Sequence, residues 1–278
     1  MTVNTSPQLE TIITQAREQG VRHEEHLPFL LHPSNTNGYG VLLVHGFTAS
    51  PREMNPLAQF LTQLGFTTVG VRLPGHGTTP EDLAERYHEE WQQAVEEGYQ
   101  VLRQHTRQIF GVGLSTGALL LITLATRHPL TGLILLSPFL QVKHRLAPAA
   151  GLLRFIKKYQ HRPLTPDAAP TYYNRRPVHG VHQLNRLCRQ VRRLAKQVTV
   201  PALLVNSTGD QTVRVDSSLK LFHLLPSRHK VFHLYGPEVG HALTAPDNPR
   251  RQELFALIQH FLERWIPPKH DQAAPSER

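Results

Sequence analysis

Short apolar runs rich in Val, Ile and Leu alternate along this chain with longer stretches whose apolar residues recur every three or four positions. Alternation of that kind predicts a mostly parallel sheet wrapped by helices. The strand candidates are Val41–His45, Thr67–Arg72, Ile109–Gly113, Gly132–Leu136, Ala202–Asn206 and Val231–Tyr235. Several are apolar throughout, as strands covered on both faces should be. Helical patterns fill about 52–64, 82–104, 116–127, 181–197, 215–225 and 250–265. In the 181–197 segment Val181, Leu184, Leu187, Val191, Leu194 and Val198 recur at steps of three and four, leaving an arginine-rich opposite face.

Leu9, Ile12, Ile13 and Ala16 repeat the helical spacing ahead of the sheet, so residues 1–24 are expected to form a helical arm and 25–266 one α/β domain. Pro138, Pro148, Pro163, Pro166, Pro170 and Pro177 interrupt the alternation, which predicts an insertion at about 138–178. The stretch 267–278 has no period and is expected to be disordered. With 278 residues, 40% of them hydrophobic, the chain can bury a full core, and its Pro and Gly content excludes low-complexity classes. A single cysteine, Cys188, rules out an internal disulfide and a cysteine zinc cluster, and fits a reducing compartment. No apolar run has the length of a signal peptide or a membrane span, so a cytoplasmic setting is expected.

The formal charge of +9 is unevenly distributed. Between Phe139 and Val200 stand 13 Lys and Arg against one acid, Asp167, so this segment carries +12 and the rest of the chain −3. A basic stretch can meet an anionic partner or be a solvated helical face. The solvated face is the simpler reading; a weak contact with anionic membrane surfaces is its rival, and no nucleic-acid partner is expected.

Gly113-Leu114-Ser115-Thr116-Gly117 directly follows an apolar strand run and directly precedes an apolar helical run. Strand, sharp turn and helix form the context that the G-x-S-x-G nucleophile elbow requires. Gly113 and Gly117 lack the Cβ that would clash where strand and helix approach closely. A serine hydroxyl is a weak nucleophile, so Ser115 needs a base and a group to orient that base. His241 lies in the loop after the last strand candidate, where the chain order Ser, Asp or Glu, His puts the base. Asp210 follows the strand Ala202–Asn206 and is the first candidate acid, with Asp216 and Glu238 as competitors. Leu43-Val44-His45-Gly46-Phe47-Thr48 ends a strand in a loop that can aim the Phe47 N–H at the same point as the Thr116 N–H, giving an oxyanion hole. His45 is expected to hold that loop and not to ionise.

His45-Gly46-Phe47-Thr48-Ala49-Ser50-Pro51, the run Arg72–Leu83 (RLPGHGTTPEDL), the elbow, the Asp210 loop and Gly240-His241 together resemble the carboxylesterase and monoacylglycerol-lipase branch of the α/β-hydrolase fold. The resemblance spans about residues 25–266. It implies a mostly parallel sheet flanked by helices, a small cap insertion, no metal or cofactor, and a small-molecule carboxylic ester as substrate. Residue by residue it implies Ser115 as nucleophile, Asp210 and His241 as its relay, and Phe47 and Thr116 as oxyanion donors. The expected chemistry passes through an acyl-enzyme. A thioesterase or peptidase with the same triad, or a non-catalytic ligand-binding relative, are the alternatives. In the insertion, Leu152, Leu153, Phe155 and Ile156 are expected to face the acyl chain, with Arg154, Lys157 and Lys158 facing water.

Other chemistries lack their motifs. Gly111-x-Gly113 has Thr116 where a dinucleotide fingerprint needs its third glycine, no phosphate loop occurs, and His23-Glu24-Glu25-His26 has the wrong spacing for H-E-x-x-H.

Overall fold

The apolar runs of the central strands form a sheet because their side chains are buried on both of its faces. A computed structural model describes residues 6–141, 150–154, 156–164, 166 and 168–267. Its strands are β1 (Phe29–Leu31), β2 (Tyr39–Val44), β3 (Thr67–Val71), β4 (Gln108–Leu114), β5 (Gly132–Leu136), β6 (Tyr159–His161), β7 (Arg175–Pro177), β8 (Ala202–Ser207) and β9 (Lys230–Tyr235). Seven of them make one sheet in the order β1-β3-β2-β4-β5-β8-β9. Only β1 runs antiparallel to its neighbour; the other pairings are parallel.

Along β2 the side chains alternate between two cores. Leu42 and Val44 join one cluster, Val41 and Leu43 the other, and all four are fully buried. Removing each from water contributes about 1.5–3 kcal/mol. The first cluster is completed by α1 (Pro7–Glu18), α4 (His88–Arg103), α5 (Thr116–Ala125) and α7 (Val178–Leu194). The second is completed by α2 (Asn55–Gln63) and α9 (Arg251–Glu263). Every residue of α5 from Thr116 to Leu124 is buried, the property of a helix that is apolar all round. The helix α8 (Val215–Leu224) leans on β8 and β9.

Two features differ from the sequence expectation. The helical pattern over 82–104 is two helices, α3 (Pro80–Ala84) and α4, with a break at 85–87. Each has its own start: Thr79 Oγ1 accepts from Asp82 N at 3.1 Å, and Tyr87 N donates to Glu90 Oε2 at 2.6 Å. Strand β1 and the antiparallel ribbon β6–β7 have only three residues per strand, too few to leave an alternation in the sequence.

Between β5 and β8 the chain leaves the sheet. It contributes the single-turn helix α6 (Ala150–Leu153), the ribbon, in which Gln160 faces Arg176, and α7. Leu184, Leu187, Cys188 and Val191 seat α7 on the core, while Arg186 on its other side meets Glu89 at 3.0 Å. Among the described residues no helix is long and apolar enough to cross a membrane.

Candidate active site

The turn from β4 into α5 leaves no room for side chains other than those it has. A Cβ on Gly113 would lie 2.5 Å from the Gly117 carbonyl carbon, and one on Gly117 would lie 2.1 Å from the Val44 oxygen. Between them Ser115 adopts φ 56° and ψ −110°, a conformation that costs a non-glycine residue about 1–3 kcal/mol. Its N–H donates to the Leu136 carbonyl of β5 at 2.7 Å, so the neighbouring strand fixes the strained residue.

His241, in the loop after β9, brings Nε2 to 3.0 Å from Ser115 Oγ. Its Nδ1 lies 2.6 Å from Asp210 Oδ2, in the loop after β8. A carboxylate at that distance fixes Nδ1 as the protonated nitrogen and leaves Nε2 to accept from the serine. The other oxygen of Asp210 accepts from Thr212 N at 2.7 Å and Val213 N at 2.8 Å. Burial pushes the Asp210 carboxyl up, but His241 and these two N–H groups outweigh it and hold it below the usual range. Ser137 Oγ donates to the His241 carbonyl at 2.9 Å and steadies the loop. The competing acids lie elsewhere: Asp216 pairs with Arg214 at 3.0 Å and Glu238 with Arg250 at 3.4 Å, both at the surface.

Phe47 and Thr116 line the same cavity as Ser115 and His241. Thr116 is the first residue of α5, a position whose N–H has no acceptor within its own helix. His45 spans the loop: Nδ1 donates to the Gly46 carbonyl at 2.9 Å and Nε2 accepts from Leu73 N at 3.2 Å. Burial, then the neighbouring His76, lowers it well below the ordinary histidine range, so it is neutral. Glu53 went unread in the sequence. Its buried carboxyl accepts from Gly46 N at 2.6 Å and from the Tyr172 hydroxyl, tying the loop before Phe47 to the insertion. Burial raises it against the pull of those two donors. Only the Gly-Phe-Thr-Ala-Ser-Pro-Arg-Glu order marks it in the sequence, and nothing in that order signals burial.

The apolar wall of the cavity comes from Phe139, Ala150, Val178, Val181, Leu184 and Val213. This corrects the expectation for the insertion. Leu152 and Ile156 are 76% and 86% exposed and are not among the residues lining the cavity: the single turn of α6 directs Leu152 outward, and Ile156 lies in the turn that follows. Leu153 and Phe155 have side chains outside the described residues. Lys157 and Lys158 are exposed as expected, Lys157 also at the edge of the cavity, whereas Arg154 is half-buried with Nη1 3.3 Å from His179 Nδ1. The apolar face of α7 lines the cavity where Leu152 and Ile156 were expected to.

Comparison with known proteins identifies the family. The family model described as serine aminopeptidase, S33, matches residues 38–170. The chain is similar to the thermostable monoacylglycerol lipase of Bacillus sp. (strain H-257), 34% identical over 69% of this chain and 78% of that protein. It is also similar to a carboxylesterase of Bacillus subtilis (strain 168), 24% identical over 81% of this chain and 92% of the relative. Among solved structures, one from work on the metagenome-derived lipolytic enzymes LipS and LipT superposes with a TM-score of 0.76 at 23% identity, covering 84% of this chain and 97% of that one. The chain therefore belongs to the monoacylglycerol lipase and carboxylesterase family of α/β-hydrolases.

Proposed function

We propose that the protein hydrolyses carboxylic esters of small molecules through an acyl-enzyme on Ser115. The observation that carries the reading is the continuous chain Ser115 Oγ, His241, Asp210, with contacts of 3.0 and 2.6 Å. His241 Nε2 takes the Ser115 proton as Oγ attacks the ester carbon. The carbonyl oxygen becomes an oxyanion received by the Phe47 and Thr116 N–H groups, and Asp210 stabilises the imidazolium. Collapse breaks the bond to the leaving alcohol, which takes the proton from Nε2. Water then gives its proton to His241, attacks the acyl carbon and releases the acid as the proton returns to Oγ. The names of the two Bacillus relatives support an ester substrate.

In this reading the substrate is a small molecule, and neither nucleic acid nor a membrane is required. Three of the thirteen basic residues of the segment have internal partners of this kind: Arg175 meets Glu81, Arg186 meets Glu89, and Arg192 donates to the Leu140 carbonyl. Those contacts support a structural and solvated role for these charges over docking on anionic lipid. The setting is read as cytoplasmic on the strength of the lone thiol of Cys188.

Labelling with a fluorophosphonate probe, followed by peptide mapping, tests the nucleophile: the adduct is expected on Ser115 and absent in Ser115→Ala. That variant is expected to lose at least about 10⁴ in turnover of p-nitrophenyl butyrate. Retained turnover in the pure variant rejects the mechanism.

A further inference from the structure

The ribbon gives the cavity a second chemical character. Side chains alternate between the faces of a strand, so Gln160 and Arg162 share one face, as do Arg176 and Val178, and all four border the cavity that holds Ser115. Lys157, just before the ribbon, borders it too. Arg175 has the opposite facing and a complete set of partners: it meets Glu81 at 2.9 Å and lies 4.9 Å over the Tyr159 ring. Arg176, its neighbour, has none of this. Its Nε is buried without a hydrogen-bond partner among the described residues. Burial, then the like charge of Arg162, pushes its guanidinium down to about 10. Arg162 lies 4.9 Å over the Tyr172 ring and feels the buried Glu53 carboxyl, which Gly46 and Tyr172 also engage, and Lys157 is exposed; Arg176 is the cation left without a counter-charge among the described residues.

A partly buried guanidinium such as that of Arg176, with no counter-charge among the described residues, is costly, and an anion in the cavity would complete it. The fork of a guanidinium matches the paired oxygens of a carboxylate or a phosphate.

We propose that the ribbon side of the cavity is an anion subsite, in which Arg176, Arg162 and Lys157, with Gln160, hold a carboxylate or phosphate group of the substrate while its ester carbonyl lies at Ser115. The substrates are then acidic esters, their apolar portion against Val178, Val181 and Leu184. This inference rests on the ester-hydrolase reading above and deepens it.

The test pairs neutral esters with anionic counterparts on the full chain. One pair is p-nitrophenyl hexanoate and mono-p-nitrophenyl adipate, with the acid on the acyl group. The other is a monoacylglycerol and the corresponding lysophosphatidic acid, with the acid on the alcohol. In at least one pair kcat/KM for the anionic member is expected to exceed that of its neutral partner by roughly tenfold or more, the worth of a charged hydrogen bond. The responding pair identifies the source of the anion. Arg176→Gln is expected to abolish the preference through KM, Arg176→Lys to keep part of it, and added salt to weaken it. Where esters are turned over, the subsite is rejected if neither anionic ester is preferred, or if the preference survives both Arg176→Gln and Arg162→Gln.

Calorimetric titration of Ser115→Ala with the same esters separates the two layers. Selective binding of an anionic ester that Arg176→Gln removes keeps the subsite even if no ester is turned over, an outcome that rejects only the hydrolase reading. Normal turnover of neutral esters without selective binding rejects the subsite and leaves the hydrolase reading standing.

Discussion

The floor of the cavity and the ribbon beside it are held by different kinds of contact. The floor is made of residues at the ends of buried parallel strands, fixed by backbone groups: Ser115 N on Leu136 O, and Thr212 and Val213 N–H on Asp210. The ribbon has two strands of three residues, which would not be stable alone. It is fastened mostly by side chains, Tyr172 on Glu53, Tyr173 on Thr78 N at 2.7 Å and Gly75 O at 3.0 Å, and Arg175 on Glu81, with one backbone bond from Tyr173 N to Thr48 O at 3.1 Å. The reacting atoms thus sit where the backbone decides geometry. The proposed anion subsite sits on the ribbon, where side chains do most of the fastening.

The largest expected effect is in the floor. Asp210→Asn should lower kcat by roughly 10⁴, because the amide favours the wrong tautomer of His241. Asp216→Asn, on a surface residue paired with Arg214, should stay close to wild type. Steady-state kinetics on one ester checks both, and reversed results would remove Asp210 from the floor.

The next effect is on stability. Burial, against the Pro74 carbonyl, lowers His76 to about 4, and His45 is also held well below its ordinary value. In the unfolded chain both titrate near about 6.5. Below that pH the unfolded chain takes up protons that the folded chain refuses. Stability is therefore complete above about pH 6.5 and falls as the pH drops toward the folded values, by about 1.4 kcal/mol per pH unit for each histidine. Denaturant unfolding at a series of pH values should show the fall, with a shallower slope in His76→Gln. An equal slope in that variant would contradict the burial argument.

The ribbon supplies the smaller effects. Tyr172→Phe leaves the buried Glu53 carboxyl without one donor, a cost of about 1–3 kcal/mol. The loss should appear as faster proteolytic nicking between Tyr159 and Pro177, ahead of global unfolding. Nicking at the wild-type rate would mean that the tyrosine is not what fastens the ribbon. Arg175→Ala breaks a partly exposed pair and should cost no more than about 1 kcal/mol in thermal unfolding. A larger loss would show that the outward arginine carries more of the ribbon than a surface pair can.

The floor was legible because its residues announce themselves locally. The apolar runs of β2, β4, β5 and β8 imply strands buried on both faces, and a glycine on each side of Leu114-Ser115-Thr116 implies a turn too tight for side chains. The wall was not legible. Leu152 and Ile156 look like lining and are exposed, whereas Val181 and Leu184 look like core helix positions and border the cavity. Apolarity says that a residue is better buried, but a one-turn helix gives no periodicity from which to read which side is inside.

By itself the sequence determined the parallel sheet, the order of its strand candidates along the chain, and a short set of candidates, Ser115, His241 and three acids, for one relay. Hydrophobic period, turn chemistry and chain order are properties of neighbouring residues. Only the tertiary structure decided that Asp210, not Asp216 or Glu238, faces His241, that Glu53 ties the Gly46 loop to Tyr172, and that Arg175 turns to a carboxylate while Arg176 turns to the cavity. Those outcomes depend on which distant segments meet. The direction of a side chain on a three-residue strand is set by what packs against it, over separations that no local pattern records.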